Sequence, residues 1–313
     1  MTPDDEPVLG AIQAAAERIR GHVRRTPVLT VDDGLGLAYP VQLKLELLQH
    51  TGSFKPRGAF NNLLSRDVPQ SGVVAASGGN HGAAVAFAAR KLAIPARIFV
   101  PKIAGPAKIA LIRETGADLV VTEGLYPDAL AAAQAYEAQT GAIQVHAYDA
   151  PETVAGQGTV ALEWEEQGLD ADTVLIAVGG GGLIAGALGW LAGRRRVIAV
   201  EPENCPTLHR ALAEGPDAEV EVSGIAANAL GARKIGAICH GLATAQGVTS
   251  LLVTDAAIAE AQRRLWRGLR VLAEPGGATA LAALTSGAYV PAPGERIAVL
   301  VCGGNPAPDP LAS

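Results

Sequence analysis

A lysine and three glycine-rich loops carry the chemistry legible in this chain. Lys55 stands in Thr51-Gly-Ser-Phe-Lys-Pro-Arg-Gly58, an apolar, glycine-flanked setting rather than a cluster of carboxylates. An amine so placed is a candidate nucleophile, because lysine attacks carbonyl compounds to form Schiff bases. Gly179-Gly-Gly-Gly182 follows a strand-like run and opens a helix-like one. Its backbone N–H groups and the positive end of a helix dipole are therefore available to a phosphate. It matches neither Gly-x-Gly-x-x-Gly nor the P-loop, whose Lys-Ser/Thr pair is missing. Ser77-Gly-Gly-Asn-His-Gly82 and Cys302-Gly-Gly-Asn305 each follow a strand-like run as well. A tetraglycine alone is equally consistent with a tight turn. A lysine near a phosphate site points to a ligand with both an aldehyde and a phosphate, as pyridoxal 5′-phosphate (PLP) has.

The elements that must position these loops follow a regular rhythm. Residues 8–21 place Leu9, Ile12, Ala16 and Ile19 on one helical face. Val41 to Glu46 alternates with period two, which predicts a strand with one wet face. From Val73 the pattern predicts strands at 73–76, 96–100, 118–121 and 143–146, with helices at 81–91, 106–115 and 127–139 between them. A second series follows: helix 152–167, strand 174–178, helix 183–193, strand 197–200, helices 255–272 and 276–286, and strand 297–301. Short strands separated by helices imply parallel sheets with right-handed crossovers. Ligands in such sheets bind beyond the carboxyl ends of the strands, where all three loops fall. The tail after Asn305 is expected to fray.

Composition narrows the function. The 313 residues are 49% apolar and 18% charged, enough for two domains or one with a sizeable lobe. The 37 glycines and 4% aromatics suit an α/β protein. The net charge is −6 and the one basic cluster, Arg194-Arg195-Arg196, reads as a solvated turn, which argues against nucleic acid. Three cysteines are no disulfide framework, so a reducing, cytoplasmic compartment is expected. The acidic start MTPDDEP is no secretory signal. Val174 to Gly193 is uncharged and long enough for a membrane span, but its seven glycines favour a strand, a turn and a buried helix.

Taken in order, the motifs resemble those of the PLP-dependent serine/threonine dehydratase family, which also holds serine racemase. LKLELLQHTGSFKPRGAF is similar to the family's PLP-lysine signature. SGGNHGAAVA, PKIAGPAKIALIRETGAD, AGQGTVALE, GGGGLIAG, VEP, EPGGATALAAL and CGGN extend the resemblance over nearly the whole chain. It implies PLP fold type II, as in the tryptophan synthase β chain: an α/β fold with two doubly wound open sheets. Residues 1–71 and 150–313 would form the large PLP-binding domain, and 72–149 a smaller mobile domain. A homodimer is implied as well.

By the same resemblance, Lys55 binds PLP through a Schiff base and takes the Cα proton of the substrate. Phe54 lies against the pyridine ring and Asn80 bonds its hydroxyl oxygen. Gly179, Gly180, Gly181 and Gly182 bind the phosphate. Ser77, Gly78, Asn80 and His81 grip the substrate carboxylate, His81 as much by ordering the loop as by acid–base work. Cys302 contacts the pyridine nitrogen, where a neutral thiol cannot keep a proton as a carboxylate would. Glu274 resembles a family glutamate near the site and receives no role.

The implied reaction is the conversion of L-threonine and/or L-serine to a 2-oxo acid and ammonia. Serine racemase and 3-hydroxyaspartate dehydratase are the neighbouring alternatives, and a non-catalytic PLP-binding protein is a remote one. Two positions depart from parts of the family. Cation-activated members carry a Glu, matched by Glu201, and a second acidic residue where Thr207 stands, so a divalent cation is doubtful. Racemases carry a Ser acid at the position of Gly78, a glycine whose backbone could require positive φ. No motif chooses serine over threonine. The chain stops soon after CGGN, so isoleucine feedback through a C-terminal regulatory domain is not expected.

Overall fold

The computed structural model describes residues 6–104, 106–124 and 126–306. In chain order the elements are α1 (Glu6–Arg18), β1 (Val28–Val31), β2 (Val41–Lys44), α2 (Lys55–Leu64), β3 (Val73–Ala76), α3 (Asn80–Lys91), β4 (Ala96–Pro101), α4 (Pro106–Glu114), β5 (Asp118–Thr122), α5 (Tyr126–Thr140), β6 (Ile143–Gln144), α6 (Pro151–Glu166), β7 (Thr173–Ala177), α7 (Gly182–Leu191), β8 (Arg196–Pro202), α8 (Thr207–Glu214), α9 (Ala227–Leu230), α10 (Ala237–Ala245), β9 (Thr249–Val253), α11 (Asp255–Arg264), α12 (Pro275–Thr285) and β10 (Ile297–Leu300). A six-stranded sheet has the order β1-β2-β10-β7-β8-β9, and a four-stranded sheet the order β5-β4-β3-β6. Among the described strands the β1–β2 pairing is antiparallel and the others are parallel. The smaller sheet comes wholly from the stretch 72–149, and the larger one takes strands from both sides of it.

The central strands β7 and β10 are buried at every residue, as parallel strands covered on both faces must be. The uncharged stretch from Val174 is a strand, a glycine turn and the buried helix α7. No helix among the described residues is long and apolar enough to cross a membrane. The expected tail lies largely outside the described residues.

Several expected features differ in detail. The buried face of α1 uses Ile12 and Ala15 rather than Ala16, which is only half-buried. β6 ends at Gln144, and the helix expected over 255–272 stops at Arg264, followed by a π-turn, Leu265–Leu269. Three further strand and helix groups had no expectation: α2, the edge strands β1 and β9, and the helices α8 to α10.

The largest difference is at β2. Its expected wet face is dry: Lys44 and Glu46 are both 0% exposed. Their charges are met inside the protein. Lys44 Nζ donates to Glu163 Oε1 at 2.5 Å and to the Thr26 carbonyl at 2.9 Å. Arg57 forks onto Glu46, with Nε to Oε2 at 2.9 Å and Nη2 to Oε1 at 2.7 Å, and reaches Glu163 Oε2 at 2.9 Å. Two cations and two carboxylates thus form a buried neutral quartet. Burial alone would lower the Arg57 pKa, but Glu46 and Glu163 outweigh it and hold the guanidinium above its ordinary range. Arg57 lies on α2 two residues beyond Lys55, so the quartet anchors the helix that starts at that lysine.

Candidate active site

Four loops converge beyond the carboxyl ends of β2, β3, β7 and β10. Lys55 is the first residue of α2, and Pro56 occupies the first turn, where its missing N–H costs nothing. Lys55 Nζ donates to the Ala147 carbonyl at 2.7 Å and lies 5.1 Å from the centre of the half-buried Phe54 ring. Phe54 N–H in turn donates to the Cys302 carbonyl at 3.3 Å. Burial of the amine lowers its pKa from 10.5 to about 8, against a smaller opposing effect of Cys302. The unprotonated amine is the form that attacks an aldehyde. The rate at which the apoprotein captures PLP should therefore fall about tenfold per pH unit below about pH 8 and level off above it. Stopped-flow absorbance would show this, and a flat profile from pH 6 to 8 would contradict it.

Ser77 follows β3, and its Oγ accepts from Gly79 N–H at 3.2 Å. α3 then begins at Asn80, so the loop lies at the positive end of a 12-residue helix. His81 Nε2 lies 2.8 Å from the Val145 carbonyl, which only accepts, so Nε2 carries the proton. Burial first, and Lys55 second, push the His81 pKa down to about 3. His81 is thus neutral near pH 7 and ties the loop to the segment that also holds Lys55. Gly78 does not have positive φ. A Cβ there would instead overlap Ala104 Cβ and stand 3.1 Å from Val100 Cγ1. The bar to a side chain at this position is steric packing, not backbone conformation.

The tetraglycine loop turns β7 into α7, with Gly181 at φ +94° as the residue before the helix. The Tyr148 ring fills the space where a Gly180 side chain would stand. Since Ala147 binds the Lys55 amine, the pair 147–148 bridges the lysine and the glycine cradle. Glu201 lies behind the tetraglycine loop, where the Thr207 hydroxyl stands between its carboxylate, at 3.2 Å, and the Gly179 carbonyl, at 2.7 Å. It is fully buried, and its carboxylate accepts from Leu208 N–H at 2.7 Å, His209 N–H at 2.8 Å and Ser250 Oγ at 2.6 Å. Those donors occupy it as the cap of α8. No cluster of three or more His, Cys, Asp or Glu able to hold a metal occurs among the described residues.

Cys302 is buried at the end of β10, with its thiol 3.6 Å from the Gly276 carbonyl. Burial, helped by Glu274, pushes the thiol up to about 12, so it stays neutral. Asn80 Nδ2 donates to Glu274 Oε1 at 2.5 Å, and Asn305 Nδ2 donates to Asn80 Oδ1 at 2.9 Å. Ala147, Tyr148, Glu274 and Asn305 are therefore parts of the site that had no expected role. The last two sat inside recognised motifs, whereas nothing in the sequence marked Tyr148.

These residues fit PLP. A half-buried amine of lowered pKa meets the need for a Schiff-base lysine, and a glycine turn opening α7 meets the need for a phosphate cradle. The buried Thr51 Oγ1 and Ser53 Oγ, both just before Lys55 in sequence, have no hydrogen-bond partner. Parallel sheets with this site at their carboxyl ends define a PLP enzyme of fold type II. The chain belongs to the family of pyridoxal-phosphate dependent enzymes, whose model matches residues 19–303. It is 38% identical over 305 residues to the phenylserine dehydratase of Ralstonia pickettii, covering 96% of this chain and 93% of that one. The structure of maize serine racemase matches with a TM-score of 0.88 at 31% identity, covering 95% of this chain and 93% of that one. The crystal structure of T.th. threonine deaminase matches with a TM-score of 0.87 at 35% identity, covering 95% and 98%.

Proposed function

We propose that this protein is an ammonia-lyase that removes water and then ammonia from L-threonine, L-serine or a related hydroxy amino acid with an uncharged side chain. The observation that carries this is one-sided acid–base equipment. Lys55 offers an amine that exchanges a proton near neutral pH, whereas Gly78 has no side chain and Ala104 fills the space for one. Racemisation needs a proton removed from one face of Cα and another delivered to the opposite face. Elimination needs the first and a proton for the departing hydroxyl, but no acid on the opposite face of Cα. PLP bound at Lys55 would supply the electron sink for bonds to Cα.

The chain's own residues divide the remaining work. Lys55 takes the Cα proton. The N–H groups of Ser77 to His81, at the positive end of α3, hold the substrate carboxylate. Gly179 to Gly182 hold the cofactor phosphate, Phe54 covers one face of its ring, and Asn80 donates to its ring oxygen. Cys302 stands at the ring nitrogen as a neutral thiol, which favours prompt departure of the β-hydroxyl over reprotonation at Cα. Residues 72–149, with their own sheet, move as a smaller domain over bound substrate. The three cysteines are free and buried, in keeping with a reducing compartment.

An uncharged substrate is favoured by the charges nearby. Among the described residues, His81 is neutral, Arg57 is committed to Glu46 and Glu163, and Lys234, whose carbonyl meets the Tyr148 hydroxyl, pairs with Asp217 at 2.6 Å. None of these three is free to meet the second carboxylate of 3-hydroxyaspartate, and burying a carboxylate without a partner costs several kcal/mol. The test is 2-oxo acid release from L-threonine, L-serine, L-threo-3-phenylserine and L-threo-3-hydroxyaspartate, with chiral chromatography of each mixture. A neutral substrate should lead by about 10²-fold or more in kcat/KM. The D-isomer should stay below about 1% of turnover, since general acid catalysis contributes about 10²–10⁴-fold. Preference for hydroxyaspartate, or abundant D-isomer, would overturn the proposal.

A further inference from the structure

We infer that Glu274 and Asn305 are positioning residues that lock the Asn80 amide so that it presents an N–H, never its carbonyl oxygen, to the cofactor. The inference rests on the proposal that Asn80 faces the cofactor ring oxygen. Its basis is a relay whose two ends leave no freedom of assignment. The Glu274 carboxylate accepts, so the Asn80 atom 2.5 Å from Oε1 is the amide nitrogen. At the other end, the Thr51 carbonyl also accepts, from Asn305 Nδ2 at 2.7 Å. That same nitrogen therefore faces Asn80 Oδ1, at 2.9 Å. An Asn80 flipped by 180° would set oxygen against carboxylate and nitrogen against nitrogen. Of the two Asn80 N–H groups, one serves Glu274 and one is left for a ligand.

The surrounding motifs are shaped to admit this relay. A Cβ at Gly303 would overlap Glu274 Oε1, so the glycine after Cys302 makes room for the carboxylate. A Cβ at Gly52, which sits at φ +73°, would overlap the Asn305 amide. Glu274 N–H also donates to the Gly303 carbonyl at 3.1 Å, and Gly304 N–H to the Gly52 carbonyl at 2.8 Å, so the loops that carry the relay are fastened to one another. The four segments TGSFK, SGGNH, EPGGA and CGGN are thus joined through two linked amides, those of Asn80 and Asn305.

A donor locked in this way steadies negative charge on the ring oxygen. Without it, that oxygen holds the neighbouring Schiff-base proton more tightly, and the pH midpoint of the cofactor's visible band rises. The experiment measures that midpoint and the PLP dissociation constant for wild type, Asn80→Ala, Glu274→Ala, Glu274→Gln, Asn305→Ala and the double variant Asn80→Ala/Glu274→Ala, with melting temperatures recorded alongside. Glu274→Ala and Asn305→Ala should weaken PLP binding about tenfold, the size of one hydrogen bond to a charged group, and raise the midpoint by about one unit. Glu274→Gln, whose carbonyl oxygen still accepts from Asn80, should stay within about threefold of wild type. Adding Glu274→Ala to Asn80→Ala should change neither quantity, because Glu274 acts through Asn80. Additive effects, or a lower melting temperature with an unmoved midpoint in Glu274→Ala, would overturn the inference while leaving the role of Asn80 intact. An Asn80→Ala enzyme with wild-type affinity and midpoint would instead overturn the contact of Asn80 with the cofactor, and the relay's purpose with it.

Discussion

Lys55→Ala should lose the cofactor's visible band and the turnover together, with kcat/KM down by about 10³ or more, since one residue supplies both the covalent attachment and the base. The apoprotein of the same variant should melt at or above the wild-type apoprotein near pH 7. The sign follows from the lowered pKa. An unfolded lysine binds its proton up to about pH 10.5, whereas the folded one releases it near 8. Below pH 8 the folded apoprotein therefore carries an ammonium that burial disfavours, and alanine removes that cost. The amine's hydrogen bond to the Ala147 carbonyl is a small loss beside it. Activity lost along with a sharply lower melting temperature would make Lys55 a structural residue. A retained visible band would place the cofactor on another lysine.

The second large effect falls on stability. Arg57→Met leaves Glu46, fully buried, without its bidentate partner, and leaves the former quartet with an uncompensated negative charge. Breaking a buried pair from one side costs about 3–5 kcal/mol. In a chain of this size that corresponds to a fall in Tm on the order of 10 °C. The double variant Glu46→Gln/Arg57→Met removes one charge of each sign and should recover a large part of the loss. Thermal melts of the apoproteins check both. A Tm within about 2 °C of wild type for Arg57→Met would show that the quartet's charges are relieved by water or by proton uptake. Because Arg57 and Lys55 share the first turn of α2, the destabilised variant should also lose PLP more readily.

What the chain reveals about itself divides along physical lines. The parallel sheets were legible because covered strands read as short apolar runs such as Val73–Ala76 and Thr173–Ala177, with helices of regular length between them. The loops at their carboxyl ends were legible because glycine runs mark them. α2 escaped notice although Pro56 at its first turn is a start signal, since the glycines and polar residues of Lys55–Leu64 blur the helical period. The alternation of Val41 to Glu46 was legible, but its wet face was not. Whether a charged face meets water or another charge depends on Glu163, which is 119 positions from Lys44. The relay through Asn80 is hidden for the same reason: it joins residues 194 and 225 positions apart. Tyr148 left no trace in any motif because its part in the site is packing against Gly180, which a sequence pattern does not record. Gly78 shows the reverse case, a glycine whose presence was noticed but whose cause, the closeness of Ala104, only three dimensions display.

The attachment of the cofactor to Lys55 can be tested in one step. Reducing the holoenzyme with sodium borohydride converts a Schiff base to a stable pyridoxyl-lysine, which peptide mass spectrometry locates. The expected result is one pyridoxyl group per chain, on the peptide that contains Lys55. The chain offers an informative internal control in Lys44, a second lysine whose pKa burial lowers, which is locked to Glu163 at 2.5 Å within the quartet. A label on Lys44 or on any other lysine, or no label on a protein that still shows the visible band, would contradict the account.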